Sequence, residues 1–220
     1  MSTDDQESIK RVFWSCYIIE SDLIAELSEL PQSGVSSMES HVPLPGPLAT
    51  HDPETSEQSS LYFLACISIR RLLNRVHNLL HSQEPGDLSK ESLRNVVSEL
   101  DNQLETWRDM LPEDLKFSID NAPQQKERQG FLRQRFLACK TIIFRPYLDK
   151  VLREPQLLHG EETMEGVEKC ISACCSAIIN LAGFGHTVVI DTWICALSYV
   201  PRTVFRECWL MDVGWAVRCW

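Results

Sequence analysis

Two histidines, His77 and His81, stand four residues apart near the end of a predicted helix. This spacing puts both imidazoles on one helix face, where they could bind the same metal ion. No third ligand is identifiable in the sequence, and histidines at the C-terminal end of a helix also interact favourably with its last carbonyl groups. We therefore predict no metal site from this pair.

The nine cysteines form neither a metal-binding nor a disulfide pattern, because no C-x-x-C pair occurs and their number is odd. Cys170, Cys174 and Cys175 are close enough in sequence to suggest a thiol cluster. Cys170 and Cys174, however, lie among aliphatic residues, where a reduced thiol behaves as a small apolar side chain. We interpret them as buried structural thiols.

Enzymatic motifs are also missing from the sequence. The acidic run Asp4–Glu7 comes nearest to an aspartate-rich, Mg²⁺-binding motif, but it precedes the first helix and no partner motif follows. No nucleophile elbow, phosphate-binding loop or dinucleotide-binding fingerprint occurs. The sequence therefore predicts a non-enzyme with no catalytic residue, no metal ligand and no cofactor.

Four arginines lie near the most hydrophobic segments: Arg11, Arg133, Arg135 and Arg145. They could form ion pairs with the acidic surface, each of which contributes little to stability. Alternatively, some could line a cavity and recognise the carboxylate of a small molecule. We favour ion pairs because arginine is mostly exposed in folded proteins.

The chain is acidic, with 31 Asp and Glu against 21 Lys and Arg and a formal net charge of −10. Nucleic-acid affinity depends on basic residues that neutralise phosphates, so we predict no direct DNA or RNA binding by this chain alone. The first ten residues contain no apolar signal sequence, which favours the cytoplasm or nucleus. The length of 220 residues suits one domain.

One uncharged segment is long enough to be considered as a membrane span. From Cys170 to Ile190 no residue is formally charged when His186 is neutral, and about 20 apolar residues span a bilayer. Ser172, Asn180 and the Gly183–Gly185 stretch interrupt this run. We predict two buried helices separated by a glycine turn, and no membrane span.

Helical periodicity dominates the rest of the sequence, and no segment alternates as a strand does. Helices are expected at about residues 5–30, 59–81, 89–110, 131–148, 161–182 and 187–199. A Pro/Ser-rich loop is expected over residues 31–58, and the Trp-rich residues 205–220 are expected to be disordered or poorly packed. The fold class is all-α, in a single domain over 1–220.

The spacing of aliphatic residues predicts the buried face of each helix. In the first helix Val12, Cys16 and Ile19 recur at helical intervals. In the second, the aliphatic positions from Leu61 to Leu80 face the core, and three arginines are expected to point outward, namely Arg70, Arg71 and Arg75. The third has the most regular stripe: Leu93, Val97, Leu100, Leu104, Trp107 and Leu111.

The segment Phe131–Leu148 is apolar over more than one face, which is wider than the stripe of an ordinary surface helix. A helix of this kind needs neighbours on most sides. We therefore predict that it forms the hub around which the other helices pack.

Three stretches resemble one known family. Residues 10–45 combine a basic residue, an aromatic-rich helix, a polar loop and a V-x-L-P ending. Residues 104–117, LETWRDMLPEDLKF, and residues 132–148, LRQRFLACKTIIFRPYL, are similar to two further elements of the same family. That family is the fungal-specific transcription factor domain, the regulatory middle region of Zn2Cys6 zinc-cluster factors.

The resemblance runs from Lys10 to about Val204 and implies an all-α regulatory domain, located in the nucleus. It implies control of transcription, often of a metabolic or secondary-metabolite gene cluster. The six-cysteine DNA-binding cluster of the family is missing, and so are its flanking helices. The resemblance thus implies a domain truncated at both ends.

Three hypotheses follow. The first is a regulatory domain that acts through protein contacts, with the transcription machinery or as a homo- or heterodimer, and that responds to a small-molecule effector. The second is a helical metabolite-binding module or enzyme, which requires a pocket with converging polar groups. The third is a truncated, non-functional gene product; a truncated chain that acts on partners would instead need an exposed apolar helix face.

Overall fold

A computed structural model describes residues 3–26, 31–47, 53–80, 90–120, 122, 126–156 and 160–182. Within these ranges the protein is helical and has no strand, which confirms the all-α prediction. The helices are α1 (Thr3–Glu26), α2 (Pro53–Leu80), α3 (Lys90–Asp109), α4 (Glu127–Arg153) and α5 (Glu161–Ala182), with short 3-10 helices at Val35–Met38 and Glu113–Leu115. Two compact units divide the chain, Met1–Lys116 and Phe117–Trp220.

The helix bounds follow the predicted pattern closely. The helix predicted over 161–182 is α5, and α4 extends the predicted 131–148 helix at both ends. By contrast, α2 begins at Pro53 rather than Ser59, because proline is well suited to the first turn of a helix. The helix predicted over 187–199 and the stretch 205–220 lie outside the described residues.

None of the helices in the described ranges is both long enough and apolar enough to cross a bilayer. The uncharged run that raised this question belongs to α5 as far as Ala182. Its remaining residues, from Gly183 to Ile190, are not among those described.

In the first unit, α1 packs with its aromatic face inward. Trp14, Tyr17 and Ile18 form a buried cluster with Ile67 of α2. The aliphatic residues that suggested a core face lie elsewhere: Val12 is 64% exposed, and Cys16 and Ile19 are exposed too. The larger aromatic rings bury more area and have polar atoms with hydrogen-bond partners, so they take the inner face.

The orientation predicted for α2 was wrong at one arginine. Arg71 and Arg75 are exposed, as expected, but the side chain of Arg70 is only 1% exposed. Leu61 and Leu79, which were expected in the core, are exposed. Arg70 is buried because Asp22 of α1 lies opposite and neutralises it.

The stripe predicted on α3 is confirmed, since Leu93, Val97, Leu100 and Leu104 are all buried. Within the first unit α3 contacts α2 through two polar pairs. Trp107 Nε1 donates to Ser68 Oγ at 2.9 Å, and the Arg75 guanidinium donates to Gln103 Oε1 at 2.9 Å.

In the second unit, every residue from Gly130 to Leu137 in α4 is buried, which confirms the prediction of a helix enclosed on most sides. Helix α5 runs antiparallel to it. Gly166 meets the Tyr147 ring near one end, and Asn180 Nδ2 donates to Gly130 O and Gln134 Oε1 at 3.0 Å at the other.

Between these ends the predicted structural thiols lie at the helix contact. Cys170 Sγ donates to Thr141 O at 3.6 Å, and Cys174 Sγ lies 3.6 Å from Thr141 Oγ1. Both thiols are buried, whereas Cys175 is exposed. The interpretation of Cys170 and Cys174 as apolar packing residues therefore agrees with their positions.

Candidate functional site

Polar side chains along one face of α1 bind the proline-rich segment 31–47. Glu7 accepts a hydrogen bond from Gly46 N at 2.6 Å, and Arg11 donates to Gly46 O at 2.8 Å. One turn further on, Trp14 Nε1 donates to Pro43 O at 3.1 Å. The partners in the segment are backbone atoms of Pro43 and Gly46, so the part of the segment that follows its short 3-10 helix acquires a fixed path.

A buried ion pair joins α1 to α2 in the same unit. Arg70 Nη1 lies 2.5 Å from Asp22 Oδ1, and both side chains are 1% exposed. Asn74 extends the pair: its oxygen accepts from Arg70 at 2.7 Å, and its Nδ2 donates to Tyr17 Oη at 2.9 Å and Ser21 Oγ at 3.1 Å. Both ends of the half-buried asparagine amide are therefore bonded.

Glu39 connects this buried network to the surface. Its Oε2 accepts from the Tyr17 hydroxyl at 2.8 Å, and its Oε1 accepts from Arg71 Nε at 2.5 Å. Burial, followed by the Glu39 carboxylate, raises the pKa of Tyr17 to about 12, so the hydroxyl stays protonated and donates. Glu39 thus fixes the segment 31–47 to α1 and α2 together.

A groove of about 550 Å³ lies beside Arg71. Its walls come from α2, the C-terminal end of α3 and Leu44 of the proline-rich segment. Most of its surface is apolar, with lining residues that include Leu61, Leu64, Ile67, Trp107, Met110 and Leu111. This volume is in the range of small-molecule sites rather than of sites for folded partners.

Four polar side chains also line the groove: Ser68, Arg71, Gln103 and Thr106. Ser68 is bonded to Trp107, and Gln103 is bonded to Arg75 and to Glu99. The Arg71 side chain is 48% exposed, and among the described residues its Nη atoms have no hydrogen-bond partner. Arg71 is therefore the polar group best placed to meet a ligand. The groove together with the Glu39–Arg71 pair is the candidate site.

The residues considered for metal binding do not come together in the described part of the chain. His77 lies in α2, and His81 is outside the described residues. Within the described ranges no three His, Cys, Asp or Glu side chains are grouped so that they could bind a metal ion.

The four arginines near the hydrophobic segments differ from one another. Arg145 lies 3.9 Å from Asp149, which fits the ion-pair interpretation, and Arg135 is buried. Arg11 and Arg133 instead donate to backbone carbonyls. Arg133 binds the carbonyls of Asp120 and, at 2.5 Å, Ala122, and its burial lowers its pKa below the usual value. Arg133 Nη1 also lies 3.7 Å from Asp120 Oδ1, which fits the ion-pair interpretation. Arg11 donates to Gly46 O and Ser60 Oγ and has no ion pair within 4 Å among the described residues, so the favoured interpretation was wrong for Arg11 alone.

Sequence reasoning missed the residues that build this site: Tyr17, Glu39, Arg70, Asn74 and Arg71 with its groove. A weak signal existed, because Asp22 and Asn74 are polar residues at spacings that share a helix face with buried residues. The pairing of Asp22 with Arg70, which lie 48 positions apart in the sequence, has no local signature.

An all-α fold that contains a ligand-sized groove is typical of binding or regulatory domains. Comparison with known families is consistent with this class: residues 1–109 match the model of the fungal specific transcription factor domain. The matched residues contain α1, the proline-rich segment, α2 and α3, and with them the Glu39–Arg71 pair and most of the residues that line the groove.

Three curated relatives are transcription factors by name. A protein of Aspergillus rugulosus that bears the name transcription factor ecdB is 28% identical over 194 residues, which is 74% of this chain and 34% of the relative. Two proteins named ABC-transporter-regulating transcription factor, from Aspergillus fumigatus and Aspergillus oryzae, are 26% and 25% identical over 113 residues. Those alignments cover 50% of this chain and 13% of each relative, so the chain spans only a minor part of their lengths. No solved structure matches the chain significantly.

Proposed function

We propose that this chain is a non-enzymatic regulatory domain that controls transcription in the nucleus, through contacts with other proteins. The match of residues 1–109 to the fungal family is the observation that carries this proposal. The net charge of −10 supports a role in which another polypeptide segment binds DNA. Control of a metabolic or secondary-metabolite gene cluster is part of the proposal, and the names of the two ABC-transporter-regulating relatives support it.

A reporter experiment tests the regulatory role. The 220-residue chain is fused to an unrelated sequence-specific DNA-binding domain and expressed in a fungal host that carries the matching reporter gene. We expect reporter expression to differ, in either direction, from that given by the DNA-binding domain alone. Arg70→Met, which removes the buried ion pair, is expected to abolish this difference, while the exposed change Arg94→Gln preserves it. Equal expression with and without the folded chain would contradict the proposal, as would specific promoter binding by the chain alone at physiological salt.

The exposed side of α1 supports a protein partner, and we propose a second copy of this chain. Its apolar positions recur at intervals of three, four and three, which is the spacing of a coiled-coil seam. The neighbouring Ser8 and Ser15 are uncharged, so two identical acidic chains can approach here without direct repulsion. We call these positions the α1 stripe: Ile9, Val12, Cys16 and Ile19, all exposed.

Val12→Glu is expected to weaken self-association about tenfold, because it places like charges opposite each other in the seam. Sedimentation velocity over a concentration series measures the monomer–dimer equilibrium. Ile119→Glu is the matched control, since Ile119 is an exposed aliphatic residue of the other unit. A dimer that Val12→Glu leaves intact would place the interface elsewhere, and a wild-type chain that stays monomeric would remove the second copy as the partner.

The groove supports a second role, the binding of a small-molecule effector. The specific observation is an apolar groove of about 550 Å³ with an exposed guanidinium at its edge. The metabolite-binding hypothesis requires a deep pocket with converging polar groups, and this open groove with one exposed guanidinium meets that requirement only in part.

A further inference from the structure

We infer that the groove binds an apolar molecule that carries a carboxylate, and that this carboxylate competes with Glu39 for Arg71. The inference rests on the effector role proposed above. It adds the chemical class of the ligand and a route by which binding reaches the proline-rich segment.

The apolar walls of the groove indicate that most of the ligand surface is apolar. Leu61, Leu64 and Trp107 present aliphatic and aromatic surface to the groove, and burial of apolar ligand surface against them is favourable. The groove holds about 550 Å³, which fits a compact ring system or a short acyl chain. It is too small for a helix of a protein partner, whose diameter with side chains is about 10–12 Å.

The positive charge at the edge of the groove determines which polar group the ligand carries. Among the residues that the structure describes, none bonds the Nη atoms of Arg71. Arg75, whose Nη1 donates to Gln103, adds a second exposed guanidinium one helical turn further along α2. A guanidinium binds a carboxylate through two parallel hydrogen bonds, which are stronger than hydrogen bonds between neutral groups. A positive pair of this kind in a chain of net charge −10 gives the groove local complementarity to an anion.

Glu39 already occupies part of the same guanidinium, because its Oε1 accepts from Arg71 Nε at 2.5 Å. A ligand carboxylate on the Nη side brings a second negative charge close to Glu39, and the two repel each other. Ligand binding therefore weakens the ion pair between Arg71 and Glu39. Because Glu39 belongs to the segment 31–47, it also weakens the attachment of that segment to α2. Leu44 of that segment also lines the groove, so the ligand contacts the segment directly as well.

The coupling must act in both directions. If the ligand weakens the Glu39–Arg71 pair, removal of the Glu39 charge strengthens ligand binding by the same free energy. Glu39→Gln is suitable for this purpose, because the amide oxygen can still accept the Tyr17 hydroxyl. A structural role of Glu39 alone predicts no gain in affinity for an anion.

Equilibrium dialysis of the full chain with two probes tests the inference. Biphenyl-4-carboxylate carries the charge, and biphenyl-4-carboxamide is its neutral counterpart of the same shape. We expect the carboxylate to bind more tightly than the carboxamide, and Arg71→Gln to weaken the carboxylate about tenfold with little effect on the carboxamide. Arg94→Gln, an exposed arginine of α3 away from the groove, is expected to change neither affinity.

Two further variants locate the site and the coupling. Glu39→Gln is expected to raise the affinity for the carboxylate severalfold and to leave the carboxamide unchanged. Thr106→Phe fills the groove from an exposed position and is expected to weaken both probes, whereas the exposed control Asn102→Phe weakens neither. These variants decide the question even if Arg71→Gln fails to fold, which circular dichroism checks.

Three results would overturn the inference. Equal affinities for the two probes exclude the ligand class. An Arg71→Gln effect without a gain from Glu39→Gln excludes the competition, and binding that survives Thr106→Phe excludes the groove. A chain that alters reporter expression but binds neither probe would lose this inference and keep the proposed regulatory function.

Discussion

Replacement of Arg70 by methionine is expected to lower the free energy of unfolding by about 3–5 kcal/mol, the usual cost of removing one partner from a buried ion pair. Methionine keeps much of the arginine volume, so the loss reflects the charge rather than a cavity. Asp22 remains at a position that is 1% exposed, without its guanidinium partner, and Asn74 loses the donors that bind its oxygen. Urea denaturation followed by circular dichroism measures the change.

Arg75→Met is the control for this prediction, because Arg75 is an exposed arginine of the same helix. Its loss is expected to cost less than about 1 kcal/mol, as is typical of exposed polar contacts. The double variant Asp22→Asn/Arg70→Met is expected to recover part of the stability, since it removes the uncompensated charge. Equal costs for Arg70→Met and Arg75→Met would show that the ion pair contributes nothing in solution.

The change Gly166→Ala is expected to destabilise the second unit, although alanine is the better helix former by about 1 kcal/mol. A Cβ at position 166 would lie 2.5 Å from two carbons of the Tyr147 ring, and that ring is itself buried. Overpacking of this kind costs about 1–3 kcal/mol, so the clash outweighs the gain in helix propensity. Thermal unfolding followed by circular dichroism measures the result.

Ser172→Ala is the matched control on α5, because Ser172 is exposed and alanine there is expected to be neutral or slightly stabilising. Tyr147→Leu removes the ring and is expected to reduce the cost of Gly166→Ala, so the two changes are non-additive. A Gly166→Ala chain more stable than the wild type would contradict the close contact between α4 and α5.

Local periodicity was enough to predict the helices and the burial of α4. A segment that is apolar on most sides, as Phe131–Leu148 is, needs no knowledge of its neighbours to be placed inside. The stripe of α3 was equally clear, because Leu93, Val97, Leu100 and Leu104 repeat at regular helical intervals on one face.

The orientation of α1 and α2 could not be predicted in this way. Arg70, Arg71 and Arg75 are alike in sequence, and only the position of Asp22 on another helix decides which of them is buried. In α1, aliphatic spacing indicated Val12 and Cys16, yet Trp14 and Tyr17 occupy the interior. These two residues lie inside because they have polar partners in the segment 31–47, and local periodicity carries no information about those partners.

The candidate groove depends on the tertiary arrangement even more. Leu44, Leu64 and Trp107 belong to three separate segments, and nothing in their local sequences indicates that they meet. The family resemblance predicted the all-α fold class correctly, but it gave no position for a ligand. That position follows only from the packing of α2, α3 and the proline-rich segment.

The hydrogen bonds from α1 to the segment 31–47 affect how related domains can differ in the sequence of this segment. Glu7, Arg11 and Trp14 bind main-chain atoms of Pro43 and Gly46, so these hydrogen bonds do not depend on the exposed side chain of Leu44 between them. Leu44 can then be exchanged for another residue while the backbone keeps its course. Because Leu44 lines the groove, such an exchange would change the surface offered to the proposed ligand. Domains with the same helices could in this way differ in the small molecule that they bind.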